Sequence, residues 1–215
     1  MVKAESRRDL GARMLVRPVR RWLQERRAER SWRNEGCAGP PPAHFKRAFL
    51  RACQRRHGAR IFVETGTFYG DTLAALRGSF DELHSIELDD VLFKRAVYRF
   101  SGDPKIRLWQ GDSGSILPLV LSGLCQPIMF WLDGHYSGEG TARAGEDSPI
   151  NQELRYVGEH FMRTSHLIVI DDARLFDGTN GYPTLGDLRA AAAGIGFSDM
   201  GLEHDMIILS ARSRK

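Results

Sequence analysis

The chain has 215 residues, of which 42% are hydrophobic and 27% are charged. This is enough apolar material to bury a core, so wholesale disorder is excluded, and no apolar run reaches the roughly 18 residues that a membrane span needs. The three cysteines are scattered without Cys-x-x-Cys spacing. This usage excludes a disulfide framework and favours a reducing, cytoplasmic location.

The net charge of +4 is unevenly distributed. Residues 1–35 contain eleven basic and five acidic residues, a net +6, which leaves −2 for the rest of the chain. Four apolar residues recur in this segment at helical spacing: Leu15, Val19, Trp22 and Leu23. The segment is therefore predicted to be helical, with a kink or a helix start at Pro18.

A stiff Gly-Pro-Pro-Pro run at 39–42 predicts the boundary between two parts of the chain. We expect a basic N-terminal extension at 1–38 and a larger domain at 39–215. The basic extension suits nucleic acid, an anionic surface or self-association, but a solvated helix is the favoured interpretation.

Beyond the linker, short apolar runs alternate with helical patterns, which predicts an α/β fold with a doubly wound, mostly parallel sheet. The first five strands are predicted at 60–64, 83–88, 106–110, 128–132 and 166–170, followed by two more at 197–202 and 206–209. Helices are predicted at 44–56, from 71, and at 91–100, 116–124, 149–161 and 185–193. Ser148 is expected to cap the helix that begins at Pro149.

An acidic residue follows or ends each of the first five strands. These residues are Glu64, Glu87, Asp112, Asp133 and the pair Asp171-Asp172. Because ligands bind at the carboxyl ends of strands in open α/β sheets, we expect these carboxylates to border a binding site.

The first of these loops excludes two common cofactor motifs. Its sequence from Glu64 to Gly70 does not match Gly-x-Gly-x-x-Gly, and Asp71 stands where a P-loop needs lysine. A phosphate about 4 Å from an ionised Glu64 would be repelled by about 4 kcal/mol at an effective dielectric of about 20. A cationic ligand is favoured instead, and Gly66 and Gly70 permit close approach of the backbone.

Glu64-x-Gly66-x-x-x-Gly70, with Glu87 after the second strand and Gly111-Asp112-Ser113 after the third, resembles the class I S-adenosylmethionine-dependent methyltransferases. The resemblance covers residues 43–215 and implies a Rossmann-like, seven-stranded sheet whose last strand is antiparallel. It implies that the first loop, including Thr67, borders the methionine part of S-adenosylmethionine. By the same resemblance, Glu87 binds the ribose, while Asp112 and Ser113 lie near the adenine.

The acids after strands four and five resemble the metal-dependent O-methyltransferases of the catechol and macrocin types. The resemblance implies that Asp133, Asp171 and Asp172 bind a divalent ion, and an oxygen-rich set favours Mg²⁺. His135 is the available base near Asp133, so both are predicted to be catalytic in methyl transfer to a hydroxyl group of a small molecule. The Gly-rich segment 134–147 is predicted to be a lid.

Two alternatives stay open at this point. One is a metal-independent methyltransferase that acts on nitrogen or on RNA, with the basic extension holding phosphates. The other is a metal-dependent glycosyl- or phosphoryl-transfer enzyme on a similar fold.

Overall fold

The computed structural model describes residues 7–134 and 149–211. The chain divides into two compact units, Met1–Lys46 and Arg47–Lys215. The predicted functional division at residues 38 and 39 stays a prediction.

The first unit is built around a single long helix, α1 (Arg7–Asn34). The helix continues on both sides of Pro18, so the expectation that a helix starts at this proline is wrong. Trp32 is buried where α1 ends, and its ring lies 5.0 Å from that of Phe45. Its indole N–H also donates to the Gly39 carbonyl oxygen at 3.3 Å, which ties the helix to the predicted linker.

The remaining helices and strands alternate along the chain. The helices are α2 (Ala43–His57), α3 (Asp71–Leu76), α4 (Asp90–Arg99), α5 (Ser113–Ser122), α6 (Ile150–Glu159) and α7 (Leu185–Gly194). The strands are β1 (Ile61–Thr65), β2 (Glu82–Glu87), β3 (Ile106–Gln110), β4 (Ile128–Leu132), β5 (Leu167–Ile170), β6 (Asp199–Glu203) and β7 (Met206–Ser210).

The seven strands form one sheet in the order β3-β2-β1-β4-β5-β7-β6. The first five strands are parallel, and β7 pairs antiparallel with both β5 and β6. Every residue of β1, β4 and β5 is buried, as expected when both faces of a parallel sheet are covered. The predicted fold class, including the antiparallel last strand, is confirmed.

Element boundaries differ from the predicted ones by a few residues. The largest shift is at α5, which begins at Ser113 rather than at 116, because Asp112 has extended backbone angles and serves as its N-cap residue. The expected cap Ser148 lies outside the described residues, and Pro149 directly precedes the first residue of α6. None of the helices in the described part of the chain combines the length and the apolarity that a bilayer crossing requires.

Candidate functional site

The sheet order arranges the predicted acidic residues along one edge. We call this the carboxyl edge, where the five parallel strands end. From β3 across to β5, the order of the acids is Asp112, Glu87, Glu64, Asp133 and Asp171. Carboxylates that are dispersed over more than 100 positions of sequence therefore face a common region, as expected for an open α/β sheet.

Glu64 is buried in the middle of this row, with 1% of its surface exposed. Its register partner on β2 is Ser85, whose Oγ donates to Glu64 Oε1 at 2.7 Å. Thr67 Oγ1 lies 2.5 Å from the same serine hydroxyl. Because Ser85 uses its own proton on Glu64, Thr67 is the donor of that second bond. The first loop is thus fastened to β2 through a short chain of buried hydroxyl groups.

Burial raises the pKa of Glu64 well above its ordinary value of 4.5, because the ionised form loses hydration. The hydrogen bond from Ser85 lowers the pKa, whereas the negative charges of Asp133 and Glu87 raise it further. A raised pKa makes Glu64 harder to ionise, so the repulsion calculated above for an ionised Glu64 is an upper limit. The structure instead shows several acidic groups close together, and a cationic ligand beside them would reduce their mutual repulsion.

Glu87, at the end of β2, is buried and accepts hydrogen bonds from two backbone N–H groups. Its Oε2 accepts from Phe68 N at 2.7 Å, and its Oε1 accepts from Asp89 N at 2.9 Å. Burial raises the pKa of Glu87, and these N–H donors partly offset the effect. Each carboxylate oxygen retains a further lone pair, so the group can also accept from hydroxyl groups of a ligand. The first contact also fixes Phe68, which has a left-handed φ of 50°, uncommon for a bulky side chain.

Two glycines of the first loop are required by close contacts within the protein. Gly66 has φ +86°, and a Cβ there would lie 2.5 Å from the Asp133 carbonyl oxygen. Gly70 has φ +72°, and a Cβ there would lie 2.6 Å from the Phe100 ring. Any larger residue at Gly66 would push apart the loops that follow β1 and β4, where Asp133 N donates to Thr65 O at 3.2 Å.

Asp112 and Ser113 lie where β3 passes into α5. Ser113 is buried, and Asp112 is partly exposed. Asp112 Oδ2 accepts from the hydroxyl group of Ser115 at 3.0 Å, one turn into the helix. The Asp112 carboxylate therefore has a fixed position at the outer end of the acidic row.

The three acids predicted to bind metal have different local partners. Asp171 Oδ1 accepts from Asp172 N at 2.9 Å, and Asp171 is buried. Asp172 has a left-handed backbone, with φ 55°, and its carboxylate accepts from Arg174 Nη1 at 2.8 Å. Arg174 also pairs with Asp205 in the turn between β6 and β7.

The Asp172 carboxylate is paired with a guanidinium group in this structure, and the predicted three-carboxylate metal site stays a prediction. Within residues 7–134 and 149–211, no group of three or more His, Cys, Asp or Glu side chains has a geometry that could hold a metal ion. We derive no chemical step through a metal.

The predicted base and most of the predicted lid lie outside the described residues. His135 and 135–147 belong to that part of the chain, while Gly134 is described. A Cβ on Gly134 would lie 2.9 Å from Thr65 Cβ, so the chain leaves the sheet tightly against β1.

Ser85 is the member of this site that the sequence interpretation missed. Its signal was a hydroxyl residue between Leu83 and Ile86 in a strand predicted to be buried. A buried polar side chain needs a partner, and the register shows that the partner is Glu64.

Three similar solved structures are distant from this chain in sequence. An O-methyltransferase of Streptomyces achromogenes involved in tomaymycin synthesis, in complex with SAM, aligns with a TM-score of 0.58 at 17% identity, over 87% of this chain and 89% of that chain. An O-methyltransferase of Bacillus cereus in complex with SAH has a TM-score of 0.57 at 12% identity, over 86% and 90%. A SAH-bound methyltransferase of Podospora anserina has a TM-score of 0.57 at 11% identity, over 99% and 100%.

No protein-family model matches the chain, and no curated protein matches it. At these identities the similarity establishes the fold: the chain has the class I S-adenosylmethionine-dependent methyltransferase fold.

Proposed function

We propose that this protein is an S-adenosylmethionine-dependent methyltransferase that transfers a methyl group to a hydroxyl group of a small molecule. The observation that carries the proposal is the pair of buried glutamates, Glu64 and Glu87, at the carboxyl edge of a sheet with the methyltransferase strand order. Two of the similar solved structures are described as O-methyltransferases, and one of them is in complex with SAM. They support a hydroxyl group as the acceptor.

The residues of the carboxyl edge fit such a cofactor in charge. S-adenosylmethionine supplies an electrophilic methyl group on a sulfonium, and it carries an ammonium group as well. Glu64 lies among the negative charges of Asp133 and Glu87, so a cation there lowers the cost of ionising all three.

Hydrogen bonding assigns the remaining roles. Glu87 accepts from the two ribose hydroxyl groups with the lone pairs that its backbone partners leave, and charge-assisted bonds of this kind are strong. Asp112, with Ser113 beside it, lies farther along the row and accepts from the adenine amine. Thr67 and the two loop glycines hold the loop beside the methionine part.

Catalysis then depends mainly on how the chain positions the acceptor. Holding the acceptor oxygen in line with the methyl group can lower the activation barrier by several kcal/mol, because the entropy of orienting the reactants is already lost on binding. Asp133 follows β4 and lies next to the first loop. We assign to its carboxylate the orientation of the acceptor hydroxyl group. His135 remains the predicted proton acceptor.

Binding of a magnesium ion is a separate part of the proposal. Asp133 and Asp171 are the carboxylates on which it depends, since Asp172 is paired with Arg174. A requirement for the metal would appear as loss of turnover with a chelator and recovery with added Mg²⁺.

The test of the cofactor is a ligand-stabilisation screen with S-adenosylhomocysteine, with and without Mg²⁺, and with a nucleotide sugar for comparison. A ligand at 100 times its Kd stabilises the folded state by about 2.7 kcal/mol. Stabilisation by the nucleotide sugar and none by S-adenosylhomocysteine would reject the proposal.

The test of the acceptor side is Asp133→Ala. We expect turnover to be lost while binding of S-adenosylhomocysteine stays within a few-fold of the wild-type protein. Normal turnover by this variant in the presence of chelator would rule out both the catalytic role of Asp133 and its role as a metal ligand.

A further inference from the structure

Helix α1 exposes a group of arginines that the proposed methyl transfer does not use. Arg20, Arg26, Arg27 and Arg30 are all exposed, and we call them the arginine face. At 3.6 residues per turn, positions 20, 27 and 30 lie on one stripe of the helix, and position 26 lies on the adjacent stripe. From the first to the last arginine, the face is about 15 Å long.

The acids of this half of the helix lie beside Trp22 and Arg26, away from the other three arginines of the face. Glu25 and Glu29 are partly buried and share a stripe with the buried Trp32. Glu29 is paired within its own unit, with Arg33 at 2.9 Å and with His44 at 3.1 Å. Arg20, Arg27 and Arg30 therefore have no acidic neighbour three or four positions away among residues 20–34, whereas Arg26 lies three positions from Glu29.

Two apolar side chains are exposed among these arginines. Trp22 is 54% exposed and Leu23 is 43% exposed. The Arg26 guanidinium lies 5.3 Å from the centre of the Trp22 ring, which keeps one arginine beside the aromatic surface. A flat aromatic surface next to guanidinium groups can stack on a base while the arginines contact phosphates.

We propose that the arginine face with Trp22 is a binding surface for single-stranded nucleic acid. Charge complementarity identifies a polyanion, and the exposed tryptophan selects an unpaired strand over a duplex, whose bases are already stacked. Anionic lipid fits less well, because a helix that lies in a membrane interface presents a continuous apolar side. Among residues 22–34, the large apolar side chains that are exposed are one neighbouring pair, Trp22 and Leu23. This inference does not depend on the proposed methyl transfer.

The experiment measures binding of the full chain to a fluorescently labelled 20-nucleotide RNA of mixed sequence, at several salt concentrations. Four phosphate contacts on a single strand predict a slope of about −3 in a plot of log K against log salt. Changing the four arginines of the face to glutamine is expected to reduce affinity at least tenfold and to flatten the slope. Trp22→Ala is expected to weaken binding severalfold with the slope unchanged.

A matched variant removes the same charge elsewhere. It carries glutamine at Arg55, Arg95, Arg163 and Arg189, which are exposed on the second unit. This control is expected to bind RNA like the wild-type protein, and circular dichroism and thermal unfolding check that both variants are folded.

Four results would overturn the proposal, and the first three concern binding. They are equal loss of binding in the two charge variants, unchanged binding after loss of the arginine face, and tighter binding to phosphatidylserine vesicles than to the RNA. A change of oligomeric state in the arginine-face variant, with RNA binding unchanged, would also reject it.

Discussion

Buried polar side chains lie at both ends of the parallel strands, and they are satisfied in different ways. Where β4 and β5 begin, His166 Nδ1 accepts from Ile128 N at 3.1 Å, and its Nε2 lies 2.8 Å from His160 Nδ1. His160 Nε2 lies 3.0 Å from the Leu124 carbonyl oxygen. The Ile128 N–H can only donate and the Leu124 carbonyl oxygen can only accept, so the tautomer of each ring is fixed. Every ring nitrogen of this histidine pair therefore has a partner.

At the carboxyl edge the buried groups are acids: burial and the charges of Asp133 and Glu87 raise the pKa of Glu64, and burial and the charge of Asp89 raise the pKa of Glu87. Glu64 has a hydroxyl partner, and Glu87 has two backbone partners, but their neighbours include further carboxylates. The ring nitrogens of the histidine pair find all their hydrogen-bond partners within the protein. In the acidic row, by contrast, a bound cation would reduce the repulsion between carboxylates. Burial alone therefore does not mark a functional residue.

The largest expected effect is on the carboxyl edge, in the variant Glu87→Gln. Hydrogen bonds to a charged acceptor contribute about 1.5–3 kcal/mol each, so losing the charge should weaken binding of S-adenosylhomocysteine about 100-fold. Calorimetry measures this. Glu159→Gln, on the exposed face of α6, is the matched control and should bind normally. Unchanged affinity in the Glu87 variant would remove this residue from the cofactor site.

The second effect concerns the histidine pair and is a change in stability. Burial, followed by the charges of His160 and His57, lowers the pKa of His166 to about 3. The unfolded chain binds a proton below about pH 6.5 and the folded one does not, so stability is lost as the pH falls from about 6.5 towards 3. From pH 7 to pH 5 this group should cost about 2 kcal/mol.

Urea unfolding at the two pH values tests this with His166→Gln, which cannot titrate. The free energy of unfolding of the wild-type protein should fall by about 2 kcal/mol more than that of the variant. His204→Asn, in the turn between β6 and β7, should keep the wild-type difference. Equal pH dependence of the wild-type protein and the His166 variant would show that His166 is not held neutral.

The third effect is a proton released when the cofactor binds. Because burial and nearby acids raise the pKa of Glu64 in the free protein, a cation beside it should lower that pKa and expel the proton. Affinity for S-adenosylmethionine should then rise with pH, by up to about tenfold per pH unit while one proton is released. Calorimetry in buffers of different ionisation enthalpy counts the proton, and Glu64→Gln should release none. Absence of release in the wild-type protein would place the cation elsewhere.

Much of the fold was predictable because it depends on patterns that tertiary packing preserves. Continuous apolar strands such as Ile128–Leu132 alternate with helices, and this leaves few topologies. The boundaries of helices were less predictable, because a cap such as Asp112 is a matter of local backbone angles. At Pro18 a kink or a helix start was predicted, and the helix start is not observed, since a proline within a long helix removes one hydrogen bond without ending the helix.

The sequence predicted that a row of acids lines the candidate site, but it did not predict the partner of each acid. Sequence placed Glu64 and Asp172 in equivalent positions after strands. In the structure Glu64 is buried against Ser85, whereas Asp172 pairs with Arg174. Side-chain partners that come from distant strands and turns, such as Asp205, carry no signal in the order of residues along the chain.

The smallest effect is expected at Asp172, and it separates this acid from its neighbours. Asn tolerates the left-handed backbone at this position, so Asp172→Asn removes mainly the charge that pairs with Arg174. A partly exposed ion pair of this kind contributes up to about 1 kcal/mol, so a small loss of stability is expected. Binding of S-adenosylhomocysteine should not change, because Asp172 lies beyond β5, whereas the proposed cofactor residues follow β1, β2 and β3. If instead the variant lost turnover and excess Mg²⁺ restored it, Asp172 would bind the metal as the sequence predicted, and Arg174 would have to release it.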